Sequence, residues 1–182
     1  MIMRVITGKA RGVTLKTPEG MQTRPTTDRV KEALFSIIQF ELPGAKVLDL
    51  FGGTGQLGIE ALSRSAKSAV FVDEREDACR LIKENLRRTK LEQDAQVVRS
   101  DYLAYLSRCR EKFNIILLDP PYAEVFLENA LTCITEIDIL QTGGIIVAER
   151  PVEKELPFEF EGYTRSRDYK YGKTLLIIYR KD

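Results

Sequence analysis

The sequence predicts an α/β fold, a Rossmann-like, open and doubly wound sheet, and three observations carry that expectation. From residue 46 onward, short β-branched runs alternate with amphipathic helical stretches, the pattern of parallel strands covered on both faces. The first of those runs leads straight into a glycine-rich loop, which belongs at the carboxyl end of a strand and before a helix. The tail abandons the alternation and reads as an antiparallel hairpin about a Tyr171-Gly172 turn.

The elements follow in chain order. Residues 3–7 and 13–17 flank the loop at 8–12, so they read as a small hairpin with Lys9 and Arg11 at its tip. A Pro- and Gly-containing connection runs over 18–25. A helix opens at Thr26, Thr27 and Asp28, with Val30, Ala33, Leu34, Ile37 and Ile38 at helical spacing, and Leu42-Pro43-Gly44 stops it. Strands are expected at 46–50, 68–72, 95–99, 113–118 and 144–148. Between them lie helical stripes, Ala78, Leu81, Ile82 and Leu86 in one and Leu127, Ala130, Leu131 and Ile134 in another. The final apolar run, 174–179, completes the sheet. Residues 1–25 thus form a basic hairpin or arm, and residues 26–182 the main domain.

Composition narrows the chemistry. With 43% hydrophobic and 30% charged residues, the sequence has no apolar run as long as a membrane span and no charged-then-apolar N-terminal signal, so a soluble, cytoplasmic protein is expected, with a monomer as the default. Cys79, Cys109 and Cys133 are scattered and odd in number, which suggests packing and not disulfides or a metal site. Histidine is absent, which removes Ser-His and Cys-His nucleophile systems and the commonest metal ligand. The net charge of +1 says nothing of partners, but its distribution does: residues 1–31 hold seven basic against two acidic side chains, and the remainder 21 against 25. Such a head is a nucleic-acid footprint or simply a solvated face.

The cofactor reading starts from the stretch Asp49, Leu50, Phe51, Gly52, Gly53, Thr54, Gly55 that ends the first strand. Gly53, Gly55 and Gly58 also match a dinucleotide fingerprint, with Asp73 near the expected ribose-binding spacing of ~20 residues, so a nicotinamide-dependent dehydrogenase competes. Asp49 argues against it, because a carboxylate before the loop repels a pyrophosphate and suits a ligand with a cationic amino group. S-adenosylmethionine has that group and no phosphate. Asp49 would then accept from or organise the amine, Phe51 and the Gly52–Gly55 loop would border the ligand, and Asp73 would take the ribose hydroxyls. Asp101 would meet the adenine amine, with the Tyr102 amide at a ring nitrogen. Helix capping is an equal reading for Asp101.

The run Asp119, Pro120, Pro121, Tyr122 closes the 113–118 strand and suits a site that holds a flat, amino-bearing ring while its nitrogen is alkylated. An exocyclic amine is a weak nucleophile because its lone pair is delocalised. The Asp119 carboxylate and the Pro120 carbonyl could each accept one N–H and draw the pair back, the prolines stiffen the turn, and Tyr122 offers a stacking face. A strand ending in a Pro-rich turn is the plain alternative.

Taken with residues 4–9 and the segment 23–35, which contains Arg24-Pro25-Thr26-Thr27-Asp28-Arg29, these motifs resemble the bacterial small-subunit (16S) ribosomal RNA guanine-N2 methyltransferases over essentially the whole chain. The resemblance implies a seven-stranded methyltransferase fold with an antiparallel last pair, S-adenosylmethionine as donor, and a guanine of small-subunit ribosomal RNA as acceptor, in free RNA or a partly or fully assembled subunit. It also implies that the basic N-terminal region docks RNA, with Arg4, Lys9, Arg11, Arg24 and Arg29 as candidates. A DNA amino-methyltransferase is the nearer alternative, although this short chain lacks a separate target-recognition region, and a non-catalytic RNA-binding module of the same fold is the other.

Overall fold

The structure, a computed structural model, describes residues 3–18, 28–121, 124–153 and 159–182. Its elements are α1 (Asp28–Ile37), β1 (Lys46–Asp49), α2 (Gln56–Ser63), β2 (Ser68–Asp73), α3 (Glu76–Thr89), β3 (Ala95–Arg99), α4 (Tyr102–Arg108), β4 (Phe113–Leu118), α5 (Glu124–Ile137) and β5 (Leu140–Pro151). The chain closes with β6 (Tyr163–Arg165), β7 (Tyr169–Tyr171) and β8 (Thr174–Lys181). The strands lie in the order β3-β2-β1-β4-β5-β8-β6, with β7 also on β8; β1 to β5 are parallel and β8 is antiparallel to β5. The Rossmann-like α/β sheet read from the sequence is therefore the one observed.

Period-two alternation explains the three layers. Val47, Phe71, Ile115 and Ile145 face one cluster, shared with α1, α2 and α3, while Leu48, Val70, Ile116 and Ile146 face the other, shared with α4 and α5. All eight residues of α2 are buried, so this helix is a core element apolar over most of its circumference. Its Gly58 is needed for contact: a Cβ there would sit 2.3 Å from the Phe71 ring of β2. Among the described residues no helix is long and apolar enough to cross a membrane.

Two expectations are corrected in detail. The tail is not one hairpin. The strand expected before the Tyr171-Gly172 turn is broken into β6 and β7, which pair with opposite ends of β8. At the break the Ser166 N–H donates to the Ile178 carbonyl at 2.8 Å and its hydroxyl accepts from the Ile178 N–H at 3.2 Å, so β8 keeps its partners. Counted as one broken strand, β6 and β7 make the sheet seven-stranded. The strand expected at 144–148 is longer, Leu140–Pro151.

The N-terminal hairpin has a single bridge, Arg4 with Thr14, supported by Val5 N–H to Val13 O at 3.0 Å and Leu15 N–H to Met3 O at 2.9 Å. Other donors turn to the helices beneath. Ile6 and Thr7 N–H donate to the two Glu60 oxygens at 2.8 and 3.0 Å, Ala10 N–H to Ser63 Oγ at 2.9 Å, and Lys16 N–H to Asn85 Oδ1 at 2.7 Å. Gly8 lies so close to α2 that a Cβ would meet the Ser63 carbonyl oxygen at 1.9 Å. Val5, Ala10 and Leu15 join the core. Glu60, wholly buried, also meets Arg64 at 2.8 Å and Lys31 of α1 at 3.8 Å, while Lys31 Nζ donates to the Arg4 carbonyl at 2.5 Å. Burial pushes the Lys31 ammonium below its ordinary range and the Glu60 charge opposes that. One acid on α2 thus ties the hairpin and α1 together.

Candidate active site

A cavity of about 740 Å³ opens at the carboxyl ends of the parallel strands, where open α/β sheets take ligands. Of the residues read from the sequence as cofactor-binding, Phe51, Gly53, Asp73, Asp101 and Tyr102 line it, and so do Asp119, Pro120 and Pro121 from the alkylation motif. One wall is aromatic: the Phe51 and Tyr102 rings are 5.2 Å apart and Phe126 stands edge-on to Tyr102 at 5.5 Å. The opposite rim carries Arg29 and Val30 from the start of α1 and the Tyr171-Gly172-Lys173 turn.

The acids differ in what they do. Asp73 accepts the Gly53 N–H at 2.9 Å through one oxygen and the Arg75 N–H at 3.0 Å through the other, so it fixes the glycine loop while remaining on the cavity wall. Asp101 caps α4, accepting from the Ala104 N–H at 2.9 Å, and still lines the cavity; capping and facing the cavity are compatible here. Asp49 sits off the wall. It is 2% exposed and accepts the Gly58 N–H at 3.0 Å beneath the loop. Burial raises its carboxyl pKa to about 8, helped by the charges of Asp119 and Asp73 and opposed by the Gly58 hydrogen bond. Gly52, Thr54 and Gly55 are also buried behind the wall: Gly55 N–H donates to Gly52 O at 2.7 Å and Thr54 Oγ1 contacts Met3 Sδ at 3.3 Å.

The basic candidates divide. Arg29 lines the cavity. Arg4 is exposed at the hairpin's open end and pairs with Asp28 at 3.1 Å. Lys9 and Arg11 are exposed at the hairpin tip, beside the last turn of α2. The glycine loop is at the other end of that eight-residue helix, about 12 Å away. Arg24, Thr26 and Tyr122 lie outside the described residues.

Several lining residues escaped the sequence reading. Phe126 lies one position before the apolar stripe of α5, and Glu149 was hidden as a charge at the end of a strand. The latter did carry a signal, since β1 to β4 each end in or near an acid and β5 does as well. The Tyr171-Gly172 turn was read only as a turn.

The residues present fit a cationic, adenosine-bearing ligand better than a dinucleotide. Asp73 and Asp119 put negative charge beside the glycine loop, and after burial, the larger cause, both push the Asp49 carboxyl pKa up. A positive charge relieves that repulsion and a pyrophosphate adds to it. The aromatic wall supplies an apolar surface for a base, and Asp73 and Glu74 reach the same space.

Comparison with known proteins agrees. Residues 3–180 match the family described as conserved hypothetical protein 95. The chain is 43% identical over 182 residues to YlbH of Bacillus subtilis (strain 168), covering 98% of this chain and 99% of that one. It is 34% identical over 181 residues to ribosomal RNA small subunit methyltransferase D of Escherichia coli (strain K12), covering 99% and 90%. The solved structure of yhhF from Escherichia coli superposes with a TM-score of 0.91 at 30% identity, covering 100% and 99%. The chain belongs to this family, the one that includes the ribosomal RNA small subunit methyltransferase D proteins.

Proposed function

We propose that this protein uses S-adenosylmethionine to methylate the exocyclic N2 amine of a guanine in small-subunit ribosomal RNA. The observation that carries the reading is that Asp119 and Pro120, just past β4, share one cavity with Asp73 and Asp101, ending β2 and following β3. Donor and acceptor sites are therefore neighbours. The family supports methyl transfer, and the E. coli relative named for ribosomal RNA supports the acceptor.

When bound, S-adenosylmethionine supplies a methyl group on a positively charged sulfur. Asp73 and Glu74 accept ribose hydroxyls, Phe51, Tyr102 and Phe126 shelter the adenine, and Asp49 holds the loop through Gly58. On the acceptor side, the Asp119 carboxylate and the Pro120 carbonyl take the two N2 hydrogens. Lone-pair density returns to the nitrogen, and Asp119 stands ready to receive the proton it sheds on gaining the methyl group. Tyr122, which follows this turn, provides the ring face. Orientation and preorganised acceptors supply the acceleration, and the Asp119 carboxylate takes the proton without a histidine base. That accords with a sequence without histidine. The hairpin and α1 contribute cations for the RNA backbone, and the target base leaves its stack to enter the cavity.

The test is nucleoside analysis of small-subunit ribosomal RNA from cells with and without the gene. Loss of N2-methylguanosine at one nucleotide is expected, and an unchanged methylation map would contradict the assignment.

A further inference from the structure

Every parallel strand ends in or near an acid, and the mechanism above leaves one of them without a task. Glu149, near the end of β5, lines the cavity and is half-buried. The β4–β5 register sets Leu118 beside Ala148, so the next residues, Asp119 just past the end of β4 and Glu149 still within β5, stand side by side. One strand spacing, roughly 4.8 Å, separates their backbones. Alternation puts both on the face of Leu117 and Val147, which is the face that α1 covers and from which Arg29 and Val30 reach the cavity.

We propose that Glu149 is the residue that selects guanine: its carboxylate accepts the ring N1–H while Asp119 accepts an N2 hydrogen. This inference rests on the N2-methylation reading and names its specificity determinant. Guanine is the only one of the four RNA bases with a ring N–H next to an exocyclic amine. Adenine and cytosine place an acceptor nitrogen beside theirs, which a carboxylate repels, and uracil has no amine. Two acceptors on adjacent strand ends therefore match guanine's edge and mismatch the other three. A single carboxylate at Asp119 could not make that distinction, because every exocyclic amine offers it the same hydrogens.

The experiment uses wild-type protein, Glu149→Ala and Glu149→Gln, with RNA in the form that the wild type methylates. The target nucleotide is either guanosine or 2-aminopurine riboside, which keeps the 2-amino group but lacks the N1 hydrogen. Wild type should prefer guanosine in kcat/KM by about 10- to 100-fold, the usual effect of losing a hydrogen bond to a charged acceptor at a partly enclosed site. Glu149→Ala should treat the two bases alike, its guanosine rate having fallen to the 2-aminopurine level. Glu149→Gln should keep part of the preference, because its amide oxygen still accepts N1–H. Affinity for S-adenosylmethionine, measured by calorimetry, should not change in either variant. The proposal is overturned if Glu149→Ala retains the guanosine preference or loses turnover on both bases by the same factor. A wild type that makes no N2-methylguanosine overturns the functional reading, and this inference with it. A wild type that makes it while the preference survives in Glu149→Ala overturns this inference alone.

Discussion

Burial and two neighbouring acids keep the Asp49 proton in place up to about pH 8, and that has a measurable consequence. The unfolded chain releases this proton near the ordinary aspartate value of 3.8, so between there and pH 8 the folded state binds more protons than the unfolded one. Stability then falls as pH rises through that window. Asp49→Asn keeps an acceptor for the Gly58 N–H and removes the titration. Melting temperatures without donor should decline less between pH 5 and pH 8.5 in Asp49→Asn than in the parent, and parallel profiles would mean that Asp49 is ionised throughout. Asp73 has a different test. It both faces the cavity and holds the Gly53 amide, so Asp73→Ala should weaken S-adenosylmethionine binding by roughly 10-fold or more in calorimetry. If affinity is unchanged and Glu74→Ala loses it instead, the ribose partner is Glu74. At this scale the sequence showed which acids stand at strand ends, because residue type and the strand boundary are both local. It did not show that Asp49 turns under the loop toward Gly58, since that direction is set by the path of the loop. Phe126 escaped for a similar reason: its ring is recruited by Phe51 and Tyr102 from other elements.

Among the elements, α2 makes the tightest fits. Gly58 leaves no room between α2 and the Phe71 ring, so Gly58→Ala should lower the melting temperature, with a cost on the order of 1–3 kcal/mol from overpacking. Adding Phe71→Leu should recover part of the loss. Equal melting temperatures for Gly58→Ala and parent would show that the ring moves aside without cost. On the same helix, Glu60 accepts from two hairpin amides and from Arg64 and offsets the Lys31 charge. Glu60→Ala strands a buried ammonium and should cost about 3–5 kcal/mol by denaturant unfolding; a loss below about 1 kcal/mol would place water or another acid beside Lys31. The strands and helices were legible because hydrophobic period is a local property. The hairpin was legible as a hairpin, but its attachment was not, for Glu60, Ser63 and Asn85 read as ordinary polar positions of amphipathic helices until their hairpin partners are placed against them. The break between β6 and β7 was hidden likewise, because Ser166 mends it with bonds to a strand 12 residues away.

For the molecule as a whole, the cavity and the basic hairpin tip proposed to dock RNA lie at opposite ends of α2. The cavity lies at its N-terminal end and the exposed Lys9 and Arg11 near its C-terminal end, about 12 Å apart. On the proposed reading, an RNA whose base enters the cavity would also meet the hairpin tip. Charge reversal of Lys9 and Arg11 should therefore weaken RNA binding and flatten its dependence on salt while leaving S-adenosylmethionine affinity intact. Identical salt slopes in variant and parent would make the tip a solvated surface only. The central claim is that one cavity holds the methyl donor and presents Asp119 to the accepting amine. It is tested most directly by incubating wild type and Asp119→Ala with methyl-labelled S-adenosylmethionine and small-subunit ribosomal RNA, with donor binding measured in the same samples. The account predicts that Asp119→Ala binds the donor normally and transfers label at least about 100-fold more slowly; label transferred by both proteins at the same rate would contradict it.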